Sequence, residues 1–250
     1  MTRWYEERPF LPIRRAYIDV LRAGRRKNII HGLVEADVTD APDRLTSGAE
    51  RYSFTAFVLF CVARAVDADR GVQAYRRGRK LVMFDEVDVN TQIEVELDGQ
   101  KIVKSAIIRS AQSKSLSQLS AEIRREQRAN PDDERRYRGS LAFARIPRFV
   151  RGLGWRVVAG RPALFKRLGG TVGLSSVGMF GLGGWGIPIA PPTLMVTVGG
   201  ITRKPRFVDG VLLDRELLAI TLSFDHDVVD GAPAARFSRR LVQLIEQPPG

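Results

Sequence analysis

The segment "SFTAFVLFCVARAV", residues 53–66, most restricts what this chain can become. From Phe54 to Val66 it is apolar on most sides of a helix, and Ser53 stands where it can cap the first turn. A helix of that kind must be buried to be stable in water. It is too short to span a bilayer, which takes about 20 apolar residues, and charges follow it at once.

The elements around it alternate irregularly. Residues 11–27 place Ile13, Tyr17, Ile18 and Leu21 on helical spacing, and "NIIHGLVEADVT" then reads as a β-branched strand. Strand-like runs follow at 80–84, 87–97 and 101–108, with Asp98-Gly99 as a hairpin signal. Residues 115–129 return to helical spacing, and "NPDD" at 130–133 stops that pattern. Further strands are expected near 207–213 and 216–224. A last helix then carries Ala234, Phe237, Leu241, Leu244 and Ile245 on one side. Without a regular βαβ alternation, the reading is an α+β sandwich, a mixed sheet with packed helices, rather than a doubly wound fold. No internal repeat or disordered linker breaks the chain, so residues 1–250 read as one domain.

Charge is the compositional feature that asks for an explanation. The chain carries a formal net charge of +12, and the excess is uneven: residues 134–167 hold ten Lys/Arg and a single acid, Glu134. Such a stretch can attract an anionic membrane, a phosphorylated cofactor or an acidic partner, or it can be a solvated face. Pro147, Gly152, Gly154, Gly160 and Pro162 interrupt it, so short amphipathic helices are expected rather than one long one. Nucleic acid is not indicated, because no zinc-ligand spacing, RNA-binding signature or helix-turn-helix pattern accompanies the charge. One cysteine, Cys61, excludes an internal disulfide framework and fits a reducing compartment. The N-terminus has acidic residues and no long apolar core, so it is not a signal peptide, and a cytoplasmic location is expected.

Three candidate motifs fail on context. "GLGGWG" at 181–186 has dinucleotide-loop spacing but leads into "IPIAPP", which cannot open the helix such a loop needs. Two histidines with no ligand spacing do not make a metal site. Ser175 and Ser176 sit in a Gly-rich turn without the spacing of a hydrolase nucleophile elbow. His226 remains. It follows an apolar strand and precedes Asp230 by four residues and Gly231 by five. Imidazole titrates near neutrality and can take the proton of a thiol, Asp230 can fix the local charges, and Gly231 lets the backbone turn into the last helix. A serine hydroxyl in a rigid turn suits the complementary task of holding an oxyanion.

The surrounding words carry a resemblance. "LSFDHDVVDGAPAARF" is similar to the "DHRVxDGAxAARF" signature of the acyltransferase component of 2-oxoacid dehydrogenase complexes, in the chloramphenicol acetyltransferase-like superfamily. "GGTVGLSSVGMFG" resembles that family's "GGTFTISNLGMFG", and "IAPPTLMVTVGG" its "INPPQVAILAVG". The opening helix, first strand and apolar helix are similar too, so the likeness runs collinearly from about residue 11 to 246.

That resemblance implies a two-layer sandwich assembling as a homotrimer, with the active site in a channel between subunits. CoA or acyl-CoA is the implied substrate, reached by an acyl-carrier thiol from the other side, and no metal or redox cofactor is needed. Carried over by position, His226 is the base that deprotonates the attacking thiol, and Ser175 is the oxyanion donor. Asp230 holds the site, paired with an arginine of the first helix, Arg14 or Arg15. His31 is given a structural role.

Three departures stand out. Asp227 replaces the arginine that commonly follows the catalytic histidine, a reversal of charge expected to raise the pKa of His226 or weaken a contact. No lipoyl domain, subunit-binding domain or Ala/Pro linker is present, so the chain is expected to meet a lipoyl-bearing or other acyl carrier in trans and to hold no covalent lipoyl of its own. The basic stretch, about 134–168, is longer than the family's usual connection before "GGT" and reads as an insertion. The expected function is CoA-dependent acyl transfer to a thiol or hydroxyl. The rival is a non-catalytic trimeric scaffold or membrane-associated adaptor that keeps the fold. An antibiotic acetyltransferase ranks lower, since its relatives carry a second histidine where this chain has Asp225.

Overall fold

The computed structural model describes residues 4–7, 10, 13–46, 51–97, 100–128, 131–176 and 183–248. Its centre is a mixed sheet of six strands. These are β1 (Ile29–Asp37), β4 (Val89–Leu97), β5 (Gln100–Ile108), β6 (Val172–Ser176), β7 (Leu194–Val208) and β8 (Val211–Asp225), in the order β1-β8-β7-β6-β4-β5. The β4–β6 and β6–β7 pairs are parallel and the others antiparallel. A separate small hairpin joins β2 (Tyr75–Arg77) to β3 (Lys80–Val82).

Strand periodicity decides where the core lies. On β8 the alternate residues Leu218, Ile220, Leu222 and Phe224 are buried, the last two level with Val196 and Leu194 of β7. Against this face pack α3 (Phe54–Ala68), α4 (Leu116–Gln127) and α8 (Gly231–Glu246), while the short α2 (Ala41–Thr46) follows β1. The apolar helix is α3, buried from Ala56 to Ala63 without a break, as expected of a helix with no polar side. Ser53 occupies its N-cap position, but the hydroxyl makes no cap bond; its backbone N–H donates to Ser120 Oγ of α4 at 3.1 Å. Cys61 is buried within α3, where desolvation pushes its thiol up to about 12.

The strands expected near 207–213 and 216–224 require correction. They form one hairpin whose turn falls at Asp209-Gly210, inside the first expected run. Both residues have left-handed φ, 50° and 81°, the two-residue turn that Asp-Gly favours. The Asp98-Gly99 signal lies outside the described residues, and β4 and β5 pair around it from Val89↔Ile108 to Leu97↔Gln100.

The basic stretch forms three helices: α5 (Pro131–Arg145), α6 (Arg148–Gly160) and α7 (Pro162–Gly169). They divide at Pro147 and Pro162, whereas Gly152 and Gly154 stay inside α6. Glycine only weakens a helix, but proline at an interior position removes a hydrogen bond and clashes with the preceding turn. α6 is tied to α1 (Ile13–Gly24) through buried Arg151, whose Nε donates to Asp19 Oδ2 at 2.6 Å.

Candidate active site

His226 opens the turn between β8 and α8. The turn is built from backbone bonds on three sides. His226 N–H donates to Asn28 O at 2.7 Å, Asp225 N–H to Thr193 O at 2.9 Å, and the N–H groups of Val228 and Val229 to Asp225 O at 2.9 Å. Beneath it the buried Asp225 carboxylate meets Lys27 Nζ at 2.9 Å and accepts from Asp227 N–H at 3.2 Å. Asp225 enters the sequence argument only as the position of a second histidine in antibiotic acetyltransferases. Its work as an anchor depends on Lys27, some two hundred residues earlier, which no local pattern signals.

The imidazole stands in the open. Nδ1 is 3.8 Å from Oδ1 of Asp230, one helical turn on. Asp230 is the N-cap residue of α8, makes no side-chain cap bond and is 84% exposed. Arg14 and Arg15 are exposed on α1, and among the described residues neither forms an ion pair with Asp230. Arg15 instead lines a groove with Arg22 and Arg148. Gly231 is the first residue of α8 and does not take a left-handed backbone; a Cβ there would meet nothing within 4 Å, so the turn does not depend on glycine.

Asp227 has partners of its own. Its Oδ1 accepts from Asn28 Nδ2 at 2.9 Å and its Oδ2 pairs with Arg76 of the β2–β3 hairpin. The Asn28 hydrogen bond, with the charges of Arg76 and Lys27, holds its carboxyl below the ordinary range. The reversed charge next to His226 therefore already has a counter-ion, and no described hydrogen bond or ion pair joins the two side chains.

Ser175 lies on the last turn of strand rather than in a loop, one residue from the end of β6. Register fixes how far it is from His226. Ser175 is level with Thr197 of β7, which is level with Thr221 of β8, and His226 lies five residues past Thr221. Five residues of strand and two strand spacings put the two backbones roughly 15–20 Å apart, far beyond what a serine and a histidine can span to one atom. Ser175, Thr197 and Thr221 form a row of hydroxyls on the sheet face opposite the core, and the hydroxyls of both threonines are buried without a hydrogen-bond partner. His31 belongs to the same face: its Nδ1 is hydrogen-bonded to Ser223 Oγ at 2.8 Å, a structural bridge between β1 and β8. After Gly183 and Gly184 the chain runs without helix to β7, so the "GLGGWG" spacing does not open a dinucleotide site.

Residues 142–250 match the model of the family described as 2-oxoacid dehydrogenases acyltransferase (catalytic domain). The acetyltransferase component of the Zymomonas mobilis pyruvate dehydrogenase complex is 30% identical over 189 residues, covering 75% of this chain and 36% of that protein. The chain thus spans about a third of that relative's length. A crystal structure of Azotobacter vinelandii dihydrolipoamide acetyltransferase, concerned with a serine, a histidine and an asparagine in its catalytic mechanism, superposes with TM-score 0.69 at 20% identity, over 97% of this chain and 92% of that one. Chloramphenicol acetyltransferase superposes with TM-score 0.50 at 14% identity, over 91% and 94%. Residues 142–250 thus match the 2-oxoacid dehydrogenases acyltransferase (catalytic domain) family, and the chain as a whole has the fold that the acetyltransferase cores share with chloramphenicol acetyltransferase.

Proposed function

We propose that the chain is a CoA-dependent acyltransferase whose active site is completed by a second copy. The observation that carries the reaction is the His226–Asp230 pair, an exposed imidazole with a carboxylate 3.8 Å from Nδ1. In the Azotobacter enzyme the histidine and asparagine stand four residues apart and the serine about fifty residues before the histidine, as His226, Asp230 and Ser175 do here.

In the reaction, Nε2 of His226 takes the proton of a thiol as its sulfur attacks the thioester carbonyl. The Asp230 carboxylate stands 3.8 Å from Nδ1 on the other side of the ring. Ser175 Oγ–H donates to the oxyanion of the tetrahedral intermediate. Collapse breaks the bond to the departing thiolate, which recovers the proton from His226. CoA is one thiol and a carrier thiol, of the dihydrolipoyl kind, the other. Because the register keeps Ser175 and His226 of one chain apart, the Ser175 that serves each His226 comes from a neighbour. A heterologous contact that closes on itself gives a ring, and the resemblance favours three copies.

Purified protein should release CoA from an acyl-CoA when a dithiol acceptor is added, and His226→Ala should lower the rate by about a hundredfold to ten-thousandfold. No turnover with any acyl-CoA, from folded and assembled protein, would favour the non-catalytic scaffold instead.

A further inference from the structure

We infer that α6 is a docking surface for an anionic lipid bilayer. The helix has an inner and an outer side. Arg151, Trp155 and Val158 face the protein, and Arg151 fixes that side by donating to Asp19 and to Ile146 O at 2.6 Å. On the opposite side Phe149 is 78% exposed, Leu153 63%, and Val150 and Val157 43% each. At 100° per residue these four form one continuous apolar ridge aimed away from the fold. No described element covers it.

The stretch of chain that carries the ridge is basic, and the carboxylate next to it, Asp19 of α1, is buried against Arg151 and Arg22. The chain has no Asp or Glu from residue 135 to 208. Arg145, Arg148, Arg156 and Arg161 stand exposed at the ends and flank of α6, and none forms an ion pair with a described residue. Beside the N-terminal end of α6 a groove of about 310 Å³ is lined by Arg15, Arg22, Arg145 and Arg148 with Ile18 and Ile146, a place for a phosphate headgroup beside the apolar ridge.

Charge and shape together select the occupant. A second copy laid ridge to ridge would bring two arginine-rich surfaces into contact, which repels. A nucleic-acid backbone uses the arginines but gains little from burying Phe149, Leu153 and Val157. A convex helix with an apolar crest and basic flanks is the form that lies in the plane of an anionic membrane, its crest among the acyl chains and its arginines at the headgroups. No helix among the described residues is long and apolar enough to cross a membrane, so the contact is peripheral. The proposal rests on the α6 face and stands apart from the acyl-transfer reading.

Docking would also hold the active-site turn near the surface. The backbone carbonyl of Ala159, near the end of α6, accepts from Tyr75 Oη at 2.9 Å, and the Tyr75 ring lies 4.5 Å from that of Phe165 on α7. Arg76, the next residue, holds Asp227 beside His226.

Sedimentation of the full chain with vesicles tests this. Vesicles of phosphatidylcholine and phosphatidylglycerol in equal parts should pull the protein down, and phosphatidylcholine alone should not. Phe149→Ser with Leu153→Ser should weaken binding at least about tenfold, and Arg145→Glu with Arg148→Glu by about thirtyfold or more. Circular dichroism and sedimentation velocity should show both variants folded and assembled like wild type. Equal binding to both vesicle types, or none to either, would overturn the proposal. So would binding that survives loss of the ridge and vanishes only with the arginines. A change of oligomeric state in the ridge variant without a change in vesicle binding would also overturn it, and would make α6 a subunit contact.

Discussion

Asp227 and Arg76 form an ion pair across the turn that carries His226, the carboxylate from the residue after that histidine and the guanidinium from the β2–β3 hairpin. The family's usual arginine at position 227 would therefore meet another arginine here. Asp227→Arg, although it restores the common residue, should lower acyl transfer several-fold. The double variant Asp227→Arg with Arg76→Asp should recover most of it. An exposed pair contributes little to stability, so melting temperature should hardly move and the readout is turnover.

The anchor under the turn is more sensitive. Lys27→Met removes the counter-ion of Asp225, a carboxylate that is only 6% exposed, and leaves it desolvated and unpaired. Breaking such a pair costs about 3–5 kcal/mol when fully buried, and Lys27 is partly exposed, so about 2–3 kcal/mol is expected in denaturant unfolding. Lys27→Arg should retain most of the stability.

Much of this site is legible in the sequence, and the illegible part has a common cause. His226, Asp230 and Ser175 stand in local words whose order survives translation into strands and turns, and α3 announces its burial by lacking a polar side. Asn28 and Lys27 are invisible because their partners are set by strand pairing: β1 lies beside β8, which brings Asn28 next to His226 across almost two hundred residues; Arg76 reaches Asp227 from a separate hairpin, which no local pattern signals. The turn at Asp209-Gly210 was legible in principle, since Asp-Gly is a hairpin signal, but the flanking apolar residues Phe207, Val208, Val211 and Leu212 mask it as one run. The distance between Ser175 and His226 needs register, which a sequence pattern does not supply.

Acid should unfold the protein through a few identifiable carboxylates. Asp37 loses some solvation, which raises its pKa, but hydrogen bonds from Arg215 and Thr39 outweigh this and hold it below 3.8. The Lys166 hydrogen bond lowers Glu86 in the same way. A carboxyl whose folded value lies below its unfolded value contributes its full stability above the unfolded value and loses it as pH falls through the folded one. Stability should therefore be flat from neutrality to about pH 5 and fall steeply below about pH 4. Asp37→Asn should flatten that acid limb in melting curves taken across the range.

The two unpartnered threonine hydroxyls allow a prediction of opposite sign. Thr197→Val replaces a buried hydroxyl that has no hydrogen bond with a methyl of similar shape. Stability should be unchanged or higher by up to about 1 kcal/mol, where most buried substitutions destabilise. A loss of more than about 2 kcal/mol would mean that the hydroxyl is bonded in the assembled protein.

Complementation tests the two-copy active site most directly. His226→Ala and Ser175→Ala each assemble homomers in which every site lacks one of the two groups, so each alone should lose about a hundredfold or more in CoA release. Co-expressed, the two variants form mixed rings in which a His226 from one copy meets a Ser175 from its neighbour. With random mixing about a quarter of the sites are whole, and activity should return to about a quarter of wild type. Mixed assemblies no more active than the two variants measured separately would contradict an active site shared between copies.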